Sequence, residues 1–333
     1  MPVNRTARLK RRPKGQIARD IFDFRDEPLA DPGEGQFRVR AEYVSLDPAM
    51  RGWMSEGRSY VRPVELGEVM RAYSVGRIDA SRHREFKEGD AVVGLFGVQS
   101  YAISDGRGVI RADTSLAPLP TWLGGLGMPG LTAYFGLLEV ASPKSGDTVV
   151  VSAASGAVGQ VVGQIARLQG CRAVGIAGGP EKCNFITSEI GFDAAVDYKA
   201  GRLAEDLKSA CPDGIDVDFE NVGGEIFDTV LSQMNPFGRV AVCGLISGYG
   251  AAEPPPGPRN IRMVLVMRLR VQGFIVFDFA ERYGEALADL GRWHQEGRVK
   301  FREDVREGGI DAFPETLNLL YTGGNFGKLV LKL

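Results

Sequence analysis

The sequence contains few of the side chains that most often bind metals or form disulfides. Its 333 residues include 2 histidines and 4 cysteines, and all of the cysteines lie between residues 171 and 243. No two of them form the close pairs of a zinc ribbon or a thioredoxin motif. His83 lies in a charged run and His294 beside Trp293, so neither suggests a zinc centre. We expect reduced thiols and no metal site.

The sequence also lacks an excess of charge of either sign and a long apolar run. With 40 basic and 42 acidic residues, its net charge of -2 gives no overall attraction to nucleic acid or anionic membranes. Two uncharged stretches, residues 114–138 and 148–166, contain prolines or glycine turns that a spanning helix would not have. The N-terminus has no apolar signal core. We expect a cytoplasmic protein that binds neither nucleic acid nor membrane.

The spacing of apolar residues indicates two domains of different kinds. Up to about residue 120, short β-rich runs alternate with Pro and Gly turns, which favours a small, mostly β domain. From residue 147 onward, strand and helix patterns alternate, which is typical of a doubly wound parallel sheet. The six predicted strands cover residues 148–152, 172–177, 194–196, 217–220, 238–243 and 271–276. The predicted helices cover residues 157–169, 180–190, 202–210, 225–234, 261–268 and 280–296. The tail, residues 301–333, returns to β character and could rejoin the first domain.

A glycine turn between the first of these strands and its helix predicts a dinucleotide site. The pattern is Ala154-x-Gly156-x-x-Gly159, a dinucleotide fingerprint with its first glycine replaced. Gly156 would allow backbone N–H groups to approach a pyrophosphate, and Gly159 would allow the helix to pack closely on the strand. The strand before and the helix after are the required context, so we favour cofactor binding over a structural turn.

The end of the next strand favours NADP over NAD. An NAD site has an Asp or Glu there to bind the ribose 2′-hydroxyl. Here the strand ends at Ala177 and is followed by Gly178 and Gly179, with no acid at its tip. Lys182 lies in the first turn of the next helix, where a cation would suit a 2′-phosphate. A surface lysine with no such role is the common alternative.

Several long blocks of the sequence resemble a known family. The chain resembles the zinc-independent medium-chain dehydrogenase/reductases, in the branch with leukotriene B4 dehydrogenase/prostaglandin reductase, bacterial curcumin reductase and plant double-bond reductases. The resemblance covers nearly the whole chain. It implies a Rossmann NADP-binding domain over residues 123–299 and a discontinuous GroES-like substrate domain over residues 1–122 and 300–333. The blocks that carry it are residues 47–52, 127–136, 155–159, 220–224, 243–247, 273–278 and 325–328.

The resemblance also implies an activity, a cofactor and a set of contact residues. The activity is NADPH-dependent reduction of a carbon–carbon double bond conjugated to a carbonyl, in a protein expected to be a homodimer. Lys182 and Tyr198 would contact the 2′-phosphate, and Thr132 would lie near the nicotinamide. The full set of implied cofactor contacts is Thr132, Gly156, Ala157, Val158, Gly159, Lys182, Tyr198, Asn221, Cys243, Gly244, Ile246, Ser247, Phe274, Ile275, Val276 and Asn325.

The catalytic group is a hypothesis at this point. Hydride addition to the β-carbon of an enone or enal leaves negative charge on the carbonyl oxygen, which needs a hydrogen-bond donor. Tyr60 and Tyr249 are the candidate donors, and the ribose 2′-hydroxyl of the cofactor is another. Either tyrosine could instead be a pocket wall or a lid residue. Departures from the family at Ala49, Val98 and Gly248 leave the size and shape of the substrate open.

Two other functions remain open. A quinone or enoyl-thioester reductase could use the same scaffold, and product analysis would separate it from an enone reductase. A non-catalytic NADPH-binding sensor would bind the cofactor and turn over no acceptor.

Overall fold

The computed structural model describes residues 3–251 and 255–333. Within these residues, the chain divides into two compact units. One unit comprises the chain up to Leu123 together with Glu303–Leu333, and the other comprises Gly124–Arg302.

Strands dominate the first part of the described chain, and strands and helices alternate from residue 148 onward. The strands are β1 (Val3–Leu9), β2 (Phe22–Pro28), β3 (Phe37–Ser45), β4 (Ser74–Ser81), β5 (Ala91–Gly94), β6 (Tyr101–Ser104), β7 (Ile110–Arg111), β8 (Thr148–Ser152), β9 (Arg172–Ala177), β10 (Ala194–Asp197), β11 (Ile215–Glu220), β12 (Met234–Val242), β13 (Arg270–Gly273), β14 (Glu303–Arg306) and β15 (Lys328–Lys332). The helices are α1 (Met50–Trp53), α2 (Met128–Phe135), α3 (Gly159–Leu168), α4 (Pro180–Ser188), α5 (Leu203–Ala210), α6 (Gly224–Gln233), α7 (Arg262–Val266), α8 (Tyr283–Gln295) and α9 (Phe313–Thr322).

The first unit is built mainly from β-strands. Its larger sheet has the order β14-β15-β3-β4-β5-β7, with β6 also paired to β3, and β1 and β2 form a separate antiparallel pair. The strand β15 from the end of the chain pairs antiparallel with β3, with Val330 opposite Ser45. The tail therefore completes the sheet that the N-terminal part begins.

The second unit is a doubly wound sheet. Its six strands have the order β10-β9-β8-β11-β12-β13, and each neighbouring pair is parallel. The chain starts at β8 in the centre, winds outward to β10, and then returns to wind outward to β13. This order creates a switch point between β8 and β11, where ligands of such sheets bind at the carboxyl ends of the strands. The predicted fold class is confirmed.

Three predicted elements differ from the structure. The last strand of the parallel sheet ends at Gly273 and not at residue 276, because the chain then turns into a 3-10 helix, Val276–Arg282. The helix predicted from residue 280 consequently begins at Tyr283. In the tail, α9 lies where β character was expected, with a proline in its first turn and Gly323 in the left-handed region at its end.

The described residues were also searched for membrane-spanning helices. No helix among them combines the length and the apolar character that crossing a membrane requires.

Candidate functional site

The turn between β8 and α3 requires glycine for steric reasons. A Cβ at Gly159 would lie 2.5 Å from the carbonyl oxygen of Ala153 and 2.8 Å from the Cα of Ala154. Ala153 itself adopts a positive φ of 49°. The N–H of Gly156 donates to the Ala153 carbonyl at 2.9 Å, and α3 begins three residues later. Backbone N–H groups at such a helix start favour an anion, so this turn fits the pyrophosphate of a dinucleotide.

The strand β9 itself ends without a carboxylate, although Asp197 at the end of β10 accepts a hydrogen bond from the N–H of Gly179 at 2.8 Å. Gly178 follows β9, and a Cβ on it would lie 2.9 Å from the Tyr198 hydroxyl oxygen and 3.0 Å from Cε of Lys199. The Nζ of Lys199 is 6.0 Å from the centre of the Tyr198 ring. Lys182 is half-buried in the first turn of α4. Lys199 was not predicted from the sequence, although its place beside Tyr198 was a usable signal.

The loops after β11 and β12 are joined by backbone hydrogen bonds. The N–H groups of Cys243 and Gly244 donate to the Glu220 carbonyl at 2.9 and 3.1 Å, and that of Ile246 donates to the Asn221 carbonyl at 3.2 Å. The Asn221 side chain also donates to the Ser152 carbonyl, at the end of β8, at 2.8 Å. Ser247 bonds to Val222 through both its N–H and its hydroxyl. The predicted residues Asn221, Cys243, Gly244, Ile246 and Ser247 therefore lie together beside the switch point.

A buried carboxyl group under these loops was not predicted as functional. Oε1 of Glu220 accepts hydrogen bonds from the Ser152 hydroxyl at 2.8 Å and from the N–H of Gly223 at 2.9 Å, as well as from Val222 N–H. Burial nevertheless raises the pKa of Glu220, because its hydrogen bonds only partly offset the loss of solvent. Burial and the nearby Glu220 also raise the pKa of the Cys243 thiol to about 12. Cys243 is thus a poor nucleophile and packs as a neutral thiol.

The remaining predicted positions in the second unit make packing or helix contacts. The Phe274 ring packs edge-on against Phe219, with 6.1 Å between centroids, and closely over Gly136. Ile275 and Val276 are half-buried in the segment that leaves β13. The Thr132 hydroxyl donates to the Met128 carbonyl within α2 at 2.7 Å.

Each candidate tyrosine accepts a hydrogen bond from an N–H group. In the first unit, the indole Nε1 of Trp53 donates to the Tyr60 hydroxyl oxygen at 3.2 Å, and Tyr60 is 50% exposed. In the second unit, the N–H of Leu245 donates to the Tyr249 hydroxyl oxygen at 3.3 Å. An N–H cannot accept in return, so the proton of each hydroxyl points away from that neighbour. The other predicted residue of the first unit, Asn325, donates to the Gly327 carbonyl at 3.1 Å in the turn before β15.

Two families match separate parts of the chain. Residues 5–112 match the family described as "N-terminal domain of oxidoreductase", and residues 157–292 match the family described as "Zinc-binding dehydrogenase". Within residues 3–251 and 255–333, no group of three or more His, Cys, Asp or Glu side chains is placed to hold a metal ion.

Relatives of known name are similar over nearly the whole chain. The NADPH-dependent curcumin reductase of Escherichia coli (strain K12) is 45% identical over 99% of this chain and 97% of its own length. The 2-alkenal reductase (NADP(+)-dependent) of Nicotiana tabacum is 42% identical over 90% of this chain and 88% of its own. The crystal structure of CurA in complex with NADPH from Vibrio vulnificus superposes with a TM-score of 0.93, at 43% identity and 98% coverage of each chain. The chain belongs to the zinc-independent medium-chain dehydrogenase/reductases, in the branch that contains the curcumin, prostaglandin and 2-alkenal reductases.

Proposed function

We propose that this protein is an NADPH-dependent reductase of the carbon–carbon double bond in α,β-unsaturated ketones and aldehydes. The observation that carries the proposal is the glycine turn between β8 and α3, at the switch point of a parallel sheet, in a chain similar end to end to NADPH-dependent reductases. A 2-alkenal, on which one of these relatives acts by name, is an α,β-unsaturated aldehyde.

We assign the cofactor contacts from the phosphate end to the nicotinamide end. The turn at Gly156–Gly159 and the start of α3 would hold the pyrophosphate, and Lys182 and Tyr198, together with Lys199, would hold the 2′-phosphate. Asn221 and the loop from Cys243 to Ser247 would line the ribose and nicotinamide region. Thr132, Phe274, Ile275, Val276 and Asn325 are assigned to the same region by family position. When bound, NADPH supplies the hydride that is added to the β-carbon of the substrate.

We assign Tyr60 as the preferred donor to the substrate carbonyl, with Tyr249 as the alternative. The Trp53 indole N–H occupies an acceptor position on the Tyr60 oxygen and directs the hydroxyl proton away from the indole. A hydrogen bond from this hydroxyl would stabilise the negative charge on the carbonyl oxygen as the β-carbon is reduced. The partial exposure of Tyr60 leaves its ring accessible to a ligand.

One assay tests the activity and separates it from the two alternatives. NADPH and NADH oxidation would be followed spectrophotometrically over a panel of enals, enones, enoyl thioesters, quinones and saturated alcohols, with and without a chelator. We expect chelator-insensitive consumption of NADPH and a saturated ketone or aldehyde as the product. Turnover of quinones or enoyl thioesters alone would move the assignment to that reductase class. If the protein bound NADPH but reduced none of these acceptors, the result would favour the non-catalytic NADPH-binding sensor.

We also propose that the protein is a homodimer that associates through the edge of the parallel sheet. The outer strand β13 is exposed along all four of its residues, and an unpaired strand edge favours pairing with another chain. Exposed apolar side chains lie close by in sequence: Leu265 is 78% exposed and Ile261 is 56% exposed. A second copy would cover both features.

Light scattering tests the dimer. Wild-type protein should have the mass of two chains, and Leu265→Glu should shift it toward one chain because a charge would be buried in the interface. Leu66→Glu is the matched control, since Leu66 is also exposed (56%) but lies in the first unit. A wild-type mass of one chain at all concentrations would contradict the proposal.

We further infer a cytoplasmic location. The cysteines Cys171, Cys183, Cys211 and Cys243 are all free, as expected where thiols are kept reduced. Fractionation of cells that produce the protein should recover it with cytoplasmic markers.

A further inference from the structure

Arg71 is a half-buried cation that forms no ion pair with the described residues. One of its N–H groups donates to the backbone carbonyl of Arg62 at 2.8 Å. Its guanidinium lies over the Trp53 ring, 5.8 Å from the ring centre. The other N–H groups of this guanidinium have no acceptor among the described residues.

The carboxylate of Glu68 interacts with Arg71 but pairs directly with another arginine. Glu68 pairs with Arg62 at 2.8 Å and also accepts the N–H of Glu65 at 2.9 Å, and the Glu65 carboxylate pairs with Arg62 at 3.5 Å. The charge of Arg62 is thus balanced by two acids. Burial and the neighbouring Arg62 lower the pKa of Arg71, against weaker opposing effects of Glu68 and Tyr60. Its surroundings in the described chain therefore leave the positive charge of Arg71 only partly compensated.

The bond from Arg71 to Arg62 is exposed, and no Arg71 atom is among the buried atoms that lack a partner, so the remaining N–H groups of Arg71 face solvent, where an anion can reach them. The planar guanidinium suits a carboxylate, because its N–H groups can donate to both carboxylate oxygens at once. Arg71 keeps its proton throughout the physiological pH range, so the attraction for an anion would be permanent.

Trp53 connects this cation to the candidate donor. The same indole that lies under Arg71 donates its N–H to the Tyr60 hydroxyl oxygen. Arg71 and Tyr60 are close enough to interact electrostatically. The phenol and the guanidinium are therefore placed around one rigid aromatic ring in the first unit.

We propose that Arg71 binds a carboxylate on the substrate, so that the preferred substrates are enones or enals that also carry an acidic group. The inference rests on the proposed reductase activity and on the role of Tyr60 in it. Trp53 would be a positioning residue that sets the spacing between the carbonyl and the carboxylate of the bound molecule.

The test compares a medium-chain enone that carries a terminal carboxylate with its methyl ester. In wild-type protein, we expect kcat/KM for the acid to exceed that for the ester by about tenfold to a hundredfold, the range of a charge-assisted hydrogen bond. Arg71→Met should abolish this ratio, mainly by raising KM for the acid. Arg71→Lys should retain part of it, because the charge remains but the planar donor group is lost. The acid preference of the wild type should also fall with added salt.

Arg40→Met is the matched control, because it removes an exposed guanidinium on β3 in the first unit and releases no carboxylate near Arg71. It should leave the acid-to-ester ratio as in the wild type. Equal turnover of acid and ester by wild-type protein, or a ratio that Arg71→Met does not change, would overturn the inference while leaving the reductase activity established. Failure of both substrates would instead reject the proposed function. A 2-enoyl coenzyme A ester whose KM depends on Arg71, without any acid preference, would reassign the anion to a phosphate and overturn the carboxylate assignment.

Discussion

Asp218 is a fully buried carboxyl group in the middle of the parallel sheet. Neither of its oxygens has a hydrogen-bond partner among the described residues, and its relative exposure is 0%. Burial, together with the nearby Glu220, raises its pKa well above the usual value. Well below pH 4, Asp218 is protonated in both the folded and the unfolded chain and causes no ionisation penalty. As the pH rises, the unfolded chain gains from ionisation and the folded state loses stability.

Asp218→Asn should therefore stabilise the protein at alkaline pH. We expect the free energy of unfolding at about pH 8 to rise by about 1–3 kcal/mol, and the gain to shrink as the pH approaches 4. Denaturant titrations at several pH values measure both. Asp213→Asn is the control, because Asp213 is exposed in the turn before β11. A gain that is independent of pH would show that ionisation of Asp218 is not the cause.

Tyr→Phe substitutions, which remove only the hydroxyl group, show which of the two candidate tyrosines is the hydrogen-bond donor. Loss of a donor to the developing oxyanion should lower kcat by about a hundredfold to a thousandfold. We expect this loss in Tyr60→Phe and a smaller one in Tyr249→Phe, measured by steady-state kinetics with an enone. Tyr101→Phe, on β6, serves as the control and should behave as the wild type. If Tyr60→Phe kept most of its kcat, Tyr60 would lose the donor role.

The geometry of the β8–α3 turn predicts that a side chain at Gly159 would destabilise the protein. Gly159→Ala places a methyl group 2.5 Å from the Ala153 carbonyl oxygen, so either the turn or the helix must shift. We expect a loss of stability of about 1–3 kcal/mol and weaker NADPH binding, measured by thermal unfolding and by cofactor fluorescence. Gly284→Ala in α8 has open space around the new methyl group and should be neutral or slightly stabilising. Equal effects of the two substitutions would refute the steric explanation.

An element could be predicted when the residues that determine it are contiguous in the sequence. The turn at Gly156 and Gly159 was predictable, because strand, glycines and helix are contiguous. The end of β13 was not, since Phe274 and Val276 continue the apolar pattern while the chain already turns toward Val276–Arg282. The helix α9 was hidden because Pro314 and the glycines on either side suggested turns.

The candidate site was predictable to a similar extent. Family blocks predicted Asn221 and Cys243 as cofactor contacts, which stays a prediction, and the structure brings the loops that carry them together after β11 and β12. Trp53 and Arg71 are separated in the sequence by a largely exposed loop, and no sequence pattern indicates that their side chains are in contact. Side-chain contacts of this kind depend on tertiary packing, which periodicity and spacing do not encode.

At the scale of the whole chain, one buried ion pair joins residues that are 281 positions apart. Lys328 is 1% exposed, and its Nζ donates to Asp47 at 2.6 Å and to the Leu46 carbonyl at 3.0 Å. Lys328→Met would leave the Asp47 carboxylate without its cation, and we expect a loss of about 3 kcal/mol in the free energy of unfolding.

Lys332→Met provides the comparison on the same strand. Lys332 pairs with Glu307 at 3.2 Å, but both side chains are exposed, so its removal should cost no more than about 1 kcal/mol. Denaturation of both variants under one set of conditions measures the difference. Similar losses would mean that burial of the Lys328 pair adds nothing to stability.

The return of the tail to the first sheet has a consequence for protein synthesis. A ribosome completes the whole of Gly124–Arg302 before it translates β14, α9 and β15. The nascent second unit can therefore collapse around its own sheet while β3 still exposes the edge that β15 will cover. Until β15 is translated, this edge of β3 is unpaired and can associate with other chains unless a chaperone covers it. Synonymous codons that slow translation near the 3′ end of the message should accordingly lower the yield of native protein.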